Sequence, residues 1–546
     1  MVFIVKKTIN GKDYYYLNEN KREGDKVKTK TIAYLGKNKK EAEKKFKEIL
    51  KMKKENVIEE KSSLEKIKLS IEEMNIFCKK KGFVYQSGEI YGGFAGFWDF
   101  GHLGVELKNN LKNSWWKFHV FQRKDLVGLD GSIITHPKIW KASGHIDSFN
   151  DLFVVCKKCK KSNKIDKNEL GKVKCECGGN YDEKTAKEFK LMFKTIVGEN
   201  EESFLRPETA QLIFTNFKAV YDNARMKLPF GIAQIGKSFR NEIAPRDFLF
   251  RCREFEQMEI EYFIKPGESC PYEIPDEEIL VYSSELQEKN KEPIKMNIKD
   301  ALKKGVIKKD WHAYWLATEF LWFKKLGANT ENFRIRQHRK DELAHYSSDC
   351  WDLEYHFPFG WKELEGIADR GNYDLNQHEI FSKKDLKIFD EETKTKILPE
   401  VVCEPSLGVE RTFLVFMFDA YYYDEKRKNF VLKLHPKLSP VKAAILPLVK
   451  RNDFEKIAKN ILNDLNEEWN IFYDNSGSIG RRYSRNDEIG TPYCITIDED
   501  SSNKNEITIR DRDTTKQIKI KINELKNIFR KLINKEIEFS DAGKII

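Results

Sequence analysis

Four cysteines in the middle of the chain, spaced Cys156-x2-Cys159 and Cys175-x-Cys177-Gly178-Gly179, constrain the fold more than any other feature. Two short knuckles that each offer a pair of thiolates suit one tetrahedral zinc ion, and a site closed by four thiolates staples a small structure without doing chemistry. We therefore expect a structural Zn2+ held by Cys156, Cys159, Cys175 and Cys177 in an inserted knuckle, with iron as the other ion that four thiolates accept. Two disulfides, or four unrelated buried thiols, would leave the clustering unexplained. The other six cysteines (Cys78, Cys252, Cys270, Cys350, Cys403 and Cys494) are scattered, which fits free thiols in a reducing compartment.

At 546 residues the chain is too long for one core and suits several domains. No stretch approaches the roughly twenty uninterrupted apolar residues of a membrane span, and the start Met1-Val-Phe-Ile-Val-Lys-Lys7 is too short for a signal peptide. A soluble, cytoplasmic protein is expected. A net charge of +11, with 34% of residues charged, favours an anionic partner such as nucleic acid. A Lys-rich composition without such a partner is the plain alternative.

Four regions follow one another. Residues 1–68 are rich in Lys and Tyr: Lys6, Lys7, Lys12, Lys26, Lys28 and Lys30 interleave with Tyr14, Tyr15, Tyr16 and Tyr34 around Asn10-Gly11. Asn-Gly between alternating segments predicts a hairpin, and the sparse apolar residues from 39 to 54 predict an amphipathic helix after it. A basic, tyrosine-bearing hairpin can lie along a phosphate backbone and stack on bases; the alternative is a solvated appendage with no specific partner. Residues 69–440 form the largest region, interrupted by the zinc-binding insertion at 152–182 and a further insertion at 265–345. In residues 441–546, Ala443 to Val449 reads as a buried strand, Asp453 to Glu467 as an amphipathic helix and Ile471 to Asp474 as a second strand. That alternation predicts a compact α/β domain with a partly parallel sheet.

The chemistry lies in the large region. An apolar strand ends in Arg240-Asn241-Glu242, a charged turn follows, and a second strand carries Phe255, Gln257, Glu259 and Glu261 at alternate positions, hence on one face. An inward face with an amide and two carboxylates is no ordinary core, because unpaired buried charge costs several kcal/mol. Acidic groups suit an ammonium ion, and flanking arginines suit phosphate, which a guanidinium grips with two bonds.

Arg240-Asn241-Glu242 followed by Arg253-Glu254-Phe255 resembles motif 2 of class II aminoacyl-tRNA synthetases, and Gly408-Val-Glu-Arg411 with the helix after it resembles motif 3. Further strings make the resemblance specific to glycyl-tRNA synthetases. These are Tyr91 to Gly101, Gly128-Leu-Asp130, Ala142 to His145, Arg206-Pro-Glu-Thr-Ala-Gln211, His345-Tyr-Ser347, Phe357 to Trp361, Glu365 to Arg370, Glu404-Pro-Ser406, Ile479 to Tyr483 and Asp487 to Cys494. The resemblance runs from about 70 to the end. It implies an α+β fold: a class II antiparallel sheet flanked by helices, with the zinc-knuckle insertion and a C-terminal α/β anticodon-binding domain.

What the resemblance implies for the site is specific. Catalysis falls to Arg240, Arg411 and Glu242. ATP is held by Arg240, Asn241, Glu242, Phe250, Arg251, Arg253, Phe255, Glu363, Leu364, Gly408 and Arg411, with Arg240 on the α-phosphate, Phe255 stacked on adenine, Arg411 over the base or the distal phosphates, and Mg2+ expected near Glu363. Glycine is held by Glu208, Phe255, Gln257, Glu259, Glu404 and Ser406. Glu256 and Glu261 stand further back or in solvent, and His145 and His345 are hydrogen-bonded structural groups. The segment from about Leu103 to Pro137, with Trp115 and Trp116, resembles motif 1, which implies a homodimer; simple core packing is the alternative. The partners implied are glycine and its tRNA. Two departures stand out: where the family carries Arg-Ala-Asp, this chain has Lys164-Ile-Asp166, a point charge in place of a fork, and the Lys/Tyr-rich residues 1–68 are not part of the family core and are read as an auxiliary tRNA contact. A different class II synthetase would lack the set Glu208, Glu404 and Ser406. A non-catalytic tRNA-binding relative would typically lose a phosphate-binding arginine, yet Arg240 and Arg411 are both present.

Overall fold

The strand Glu254–Ile264 shows how the molecule is built. Its even residues Met258, Ile260, Tyr262 and Ile264 enter the largest apolar core. Its odd residues Gln257, Glu259 and Glu261 point the other way, and Phe263 beyond them closes a second, smaller apolar cluster. One period-two sequence therefore seals a core on one side and presents polar groups on the other.

The computed structural model describes residues 2–9, 12–23, 26–36, 38, 45, 69–165, 170–245, 247–344 and 346–546. The helix expected over 39–54 falls, except for Lys45, outside them. The chain divides into two compact units, residues 1–67 with 422–430, and residues 68–421 with 431–546. In the first, β1 (Val2–Ile9), β2 (Lys12–Glu23) and β3 (Lys26–Gly36) pair antiparallel in chain order. Ile9 lies opposite Lys12, as a hairpin about Asn10-Gly11 requires.

The second unit is organised by a nine-stranded sheet. In chain order its strands are β4 (Leu126–Gly128), β5 (Phe230–Phe239), β6 (Glu254–Ile264), β7 (Glu278–Tyr282), β8 (Ile294–Asn297), β9 (Phe333–Gln337), β10 (Asp349–Phe357), β11 (Gly360–Asp369) and β12 (Glu400–Gly408). Their spatial order is β8-β7-β9-β10-β11-β12-β6-β5-β4. The sheet is antiparallel as expected through its centre, from β9 to β5. It is mixed at both margins, where β4 joins β5 and β7 joins β9 in parallel, because long crossovers separate those partners in sequence. The stretch 265–345, expected as an insertion, extends one margin of this sheet.

Helices cover the even face of β6. α1 (Ile71–Lys81) starts with a capping box between Ser70 and Glu73. α2 (His102–Trp116) sends Leu103, Leu107, Leu111 and Trp115 into the core at helical spacing. On the odd face, α3 (Ala210–Ala224) packs Phe214 and Phe217 near Phe263. α4 (Asp310–Lys325) brings Trp311 and Trp315 to 5.1 and 5.3 Å from the Tyr262 ring on the core side. α5 (Tyr373–Ser382) and α6 (Val409–Ala420) follow β11 and β12 directly.

Residues beyond 441 form their own sheet and core. β13 (Ala443–Pro447), buried at every position, runs parallel to both β14 (Ile471–Tyr473) and β15 (Tyr493–Ile497), so the sheet is partly parallel as the alternation of strand and helix predicts. Antiparallel strands complete it.

The core is tightest where α2 begins. A Cβ on Gly104 would lie 1.8 Å from the carbonyl oxygen of Phe83, so only glycine lets the helix approach the chain there. Gly104→Ala should cost about 1–3 kcal/mol of stability, read as a lower urea midpoint at unchanged m-value; an unchanged midpoint would mean that the helix start yields freely.

Candidate active site

Sheet register assembles the site row by row. Glu259 of β6 stands between Gln234 of β5 and Ser406 of β12. Ser406 pairs with Gly366 of β11, and Gly366 with Asp352 of β10. Gly366 leaves the floor open in the middle of this row: a Cβ there would meet Asp352 and Glu363 oxygens at 3.8 and 3.9 Å. Above the row lies a cavity of about 440 Å³.

One end of the cavity is acidic. Glu208, Glu259 and Glu404 line it and are 9, 1 and 7% exposed. Glu259 accepts hydrogen bonds from the hydroxyls of Thr209 and Ser406, the latter at 2.7 Å. Gln257 accepts from the Ser238 hydroxyl at 2.7 Å and donates to Ser406 at 3.1 Å. Glu208 is held by His145 at 3.1 Å and Gln211 at 3.2 Å, and His145 is fixed in turn by Ser143 at 2.8 Å, the structural role expected of it. Glu404 takes two bonds from Arg370, at 2.8 and 2.9 Å, while the same guanidinium grips Asp374 at 2.7 and 2.9 Å.

These carboxylates outnumber the cations that face them. Burial disfavours the charge of Glu208, yet His145, Arg370 and Arg240 hold its carboxyl well below the usual range. Burial and the Glu208 charge push Glu259 up. For Glu404, burial and repulsion from Glu259 and Glu208 outweigh Arg370, so its carboxyl is raised as well. Glu261 is fully buried beneath them, has no hydrogen-bond partner, and is raised well above the carboxylate range by burial and by Glu404. It is therefore not solvated, and its surroundings disfavour the charged form. Glu256 lies on the opposite face, paired with Lys108 and Lys112 at 2.9 Å each.

The other end is basic. Arg240, Arg251 and Arg411 line it together with Glu242, Phe250, Phe255, Glu363, Leu364 and Gly408. Arg240 lies over the Phe255 ring at 5.3 Å and donates to the Pro207 carbonyl at 3.0 Å. Arg411, in the first turn of α6, lies over Phe250 at 4.6 Å and donates to the Glu363 carbonyl at 3.0 Å. Two residues expected at the nucleotide stand apart from the cavity wall. Asn241 donates its backbone N–H to the Leu191 carbonyl at 2.7 Å. Arg253 turns back to the carbonyls of Glu242, at 3.0 and 2.8 Å, and of Ala95 at 3.1 Å, so it braces the loop. His345, the Lys164 side chain and Asp166 lie outside the described residues.

Sequence reasoning assigned no role to Arg370, Thr209, Ser238 or Tyr346. Arg370 and Tyr346 sit inside strings quoted above, and the Arg370 guanidinium lies 3.8 Å from the Tyr346 ring. It also missed the wall built by His338, Cys350 and Asp352. The alternation of Cys350, Asp352 and Glu354 on one strand face is the same signal that singled out β6.

The four cysteines expected to bind metal come together. Cys156 ends the strand Asn150–Cys156, the central strand of a small sheet, and Cys175 and Cys177 precede the strand Tyr181–Lys190 that pairs with it. All four sulfurs lie within 4.8 Å of one another. Cys156 and Cys177 are 3.5 Å apart, and Cys159 and Cys175 3.7 Å. A zinc tetrahedron with Zn–S of 2.3 Å has edges of about 3.8 Å, whereas a disulfide needs about 2.0 Å. A Cβ on Gly179 would lie 2.8 Å from the Cys156 sulfur, so glycine lets the two knuckles close.

Residues 193–419 match the family described as tRNA synthetase class II core domain (G, H, P, S and T), residues 442–532 the anticodon binding domain, and residues 4–62 the IS1634 family transposase, N-terminal domain. The chain is 42% identical over 480 residues to a glycine–tRNA ligase of Treponema denticola (85% of this chain, 97% of the relative). It is 43% identical over 498 residues to one of Acetivibrio thermocellus (85% and 98%), and 44% identical over 491 residues to one of Geobacillus kaustophilus (84% and 98%). In fold it is similar to a prolyl-tRNA synthetase of Cryptosporidium parvum solved with L-proline and AMP, with a TM-score of 0.50, 14% identity, and coverage of 85% of this chain and 77% of that one.

Arg370 is the cation on which the acidic end depends. Arg370→Leu should destabilise the protein by about 3–5 kcal/mol, because Glu404 and Asp374 would be left buried and unpaired. Thermal unfolding near neutral pH should register the loss, and it should shrink in mild acid as the carboxyls take up protons; a loss independent of pH would show that Arg370 acts by packing alone.

Proposed function

The chain belongs to the glycine–tRNA ligases, a family of class II aminoacyl-tRNA synthetases, and we propose that the cavity between β6, β10, β11 and β12 is where it activates glycine. In the first half-reaction a glycine carboxylate oxygen attacks the α-phosphorus of ATP, pyrophosphate leaves and glycyl-adenylate forms. In the second, a hydroxyl of the terminal adenosine of the tRNA attacks the glycyl carbonyl and AMP leaves. The product serves translation.

The polarity of the cavity carries this assignment. Arginines at one end suit phosphates and carboxylates at the other suit an ammonium ion, so a bound ATP and glycine would meet between them. Arg240 would bind the α-phosphate and stabilise charge that builds as pyrophosphate departs. Arg411 would hold the distal phosphates or cover the base, and Phe255 or Phe250 would carry adenine once a guanidinium moves off its ring. Glu242, Arg251, Leu364 and Gly408 complete this wall, with Asn241 and Arg253 supporting the turn. Oxygen ligands suit magnesium, and Glu363, whose carboxylate lies 3.5 Å from Arg411 at the cavity wall, would hold it; that ion neutralises phosphate charge. Orientation and charge stabilisation suffice for adenylate formation, so no general base is required.

Glu208, Gln257, Glu259, Glu404 and Ser406 would clamp the glycine ammonium. A methyl group in an apolar pocket is worth only about 1–3 kcal/mol, so alanine is rejected by closure of the carboxylates around Cα. Residues 442–532 would read the anticodon. The homodimer is part of the same proposal: α2 faces its own core, while Phe121 just beyond it is 76% exposed and free to meet a second copy. So is a cytoplasmic location; among the described residues no helix is long and apolar enough to cross a membrane.

Pyrophosphate exchange into ATP should depend on glycine and not on alanine, serine, threonine or proline, and Glu259→Gln should raise the KM for glycine at least a hundredfold, about 3 kcal/mol. Exchange with none of the five would overturn the assignment. A pH dependence follows from the raised carboxyls. An ammonium favours their ionised form, so binding releases protons and the KM for glycine should fall as pH rises from the ordinary carboxyl range towards about 8, to which Glu404 is pushed up; a KM flat across that window would place the ammonium elsewhere.

The cysteine quartet fits structural zinc by geometry and donor type. The purified protein should contain about one zinc per chain, released on Cys175→Ser with loss of protease resistance around 150–190 while the midpoint for the C-terminal domain holds. A metal-free protein equally resistant there would show that hydrogen bonds alone close the knuckle.

A further inference from the structure

The net charge of the chain is distributed unevenly. Residues 1–68 hold twenty Lys and Arg against eleven Asp and Glu, a surplus of nine, whereas the remaining residues hold 78 against 76 and are nearly neutral. Nearly all of the cationic excess therefore belongs to a region that matches a different family from the rest of the chain.

The register of β1 and β2 sorts that charge by face. Lys6 lies opposite Tyr15 and Thr8 opposite Asp13 on one side, while Val5 lies opposite Tyr16 and Lys7 opposite Tyr14 on the other. On the first side Lys6 is neutralised by Asp13 at 2.7 Å. On the second, the ammonium of Lys7 stands 5.3 Å over the Tyr16 ring. All three acids of β2, Asp13, Glu19 and Glu23, occupy odd positions with Tyr15, and none shares the even positions of Tyr14 and Tyr16. The bulges in the β2–β3 pairing skip residues of β3, so the alternation along β2 is intact. Among the described residues of β1 and β2, one face thus pairs cation with acid, and the other carries an exposed lysine and two half-exposed tyrosines at positions where neither strand places an acid.

We propose that this second face, with Lys7, Tyr14 and Tyr16, binds the backbone and unpaired bases of RNA, and that the N-terminal unit is an added grip on the tRNA that the enzyme charges. Lysine neutralises phosphate and releases counterions; tyrosine rings stack on bases of any sequence. A tethered second contact on an RNA already held by the anticodon and catalytic domains becomes intramolecular, so even a weak module lowers the KM for tRNA. The inference rests on the glycine–tRNA ligase assignment.

The test uses the full-length protein and a glycine tRNA transcript, with dissociation constants measured from about 50 to about 200 mM salt. Lys7→Gln with Tyr14→Ser should weaken tRNA binding about tenfold, raise the KM for tRNA to match, and flatten the salt dependence by about one unit of slope. Glycine-dependent pyrophosphate exchange, which needs no tRNA, should not change. Lys7→Gln alone, at an exposed position, should move binding in the same direction by less, which separates a lost contact from a disturbed strand. Lys6→Gln, on the neutralised face, should leave the KM for tRNA where it was. Unchanged KM and salt slope in both Lys7 variants would overturn the inference, as would an equal loss with Lys6→Gln. Tighter binding to duplex DNA than to tRNA, lost in the same variants, would assign the face to DNA and also overturn it. Absence of exchange in the parent protein would instead strike at the ligase assignment.

Discussion

An excess of buried carboxylates over the cations that face them governs the site and much of the sheet around it. Glu208, Glu259, Glu261 and Glu404 converge where three strands meet, and Arg370 is the one guanidinium that binds among them while also holding Asp374. Such a cluster is stable only while part of it is protonated or a cation is supplied from outside. Burial and the Glu404 charge favour the neutral form of Glu261, and under the proposed assignment the glycine ammonium would supply the cation. Under that assignment binding and charge balance would become one event, and the cluster would favour a ligand that is both cationic and small.

The arginines at the opposite end do their work through restraint. Arg240 and Arg411 rest on aromatic rings and backbone carbonyls, which gives each a partner that the proposed nucleotide would displace. Arg253 is committed to the Glu242 and Ala95 carbonyls and so fixes the turn that presents the others. Preorganisation of this kind lowers the reorganisation needed when phosphate charge arrives.

The remaining parts of the chain differ in how each is held together and in charge. The cysteine quartet gathers at one end of a three-stranded sheet whose small apolar cluster includes Leu152, Val154, Ile165 and Tyr181. The C-terminal domain has an independent core and adds little net charge. The N-terminal unit has the reverse character: most of the chain's cationic surplus and a polar, aromatic sheet face.

The sequence by itself determined the local half of this structure. Alternation along 255–261 put Gln257 and Glu259 on one face, the knuckle spacing paired Cys156 with Cys159 and Cys175 with Cys177, and Asn10-Gly11 marked the join between paired strands, because each depends only on near neighbours and a fixed period. The order and direction of strands at the sheet margins, the row from Gln234 to Asp352, the open floor at Gly366 and the forked grip of Arg370 on Glu404 and Asp374 were decided by tertiary structure. So were the exclusion of Arg253 from the cavity while Arg251 remains in it, and the burial of Glu261 with no hydrogen-bond partner among the described residues. The physical reason is register: a period of two assigns a residue to a face, but which residue stands across from it, and hence how much charge is buried together, is set by pairing between strands distant in sequence, as Glu259 and Ser406 are at 147 residues apart.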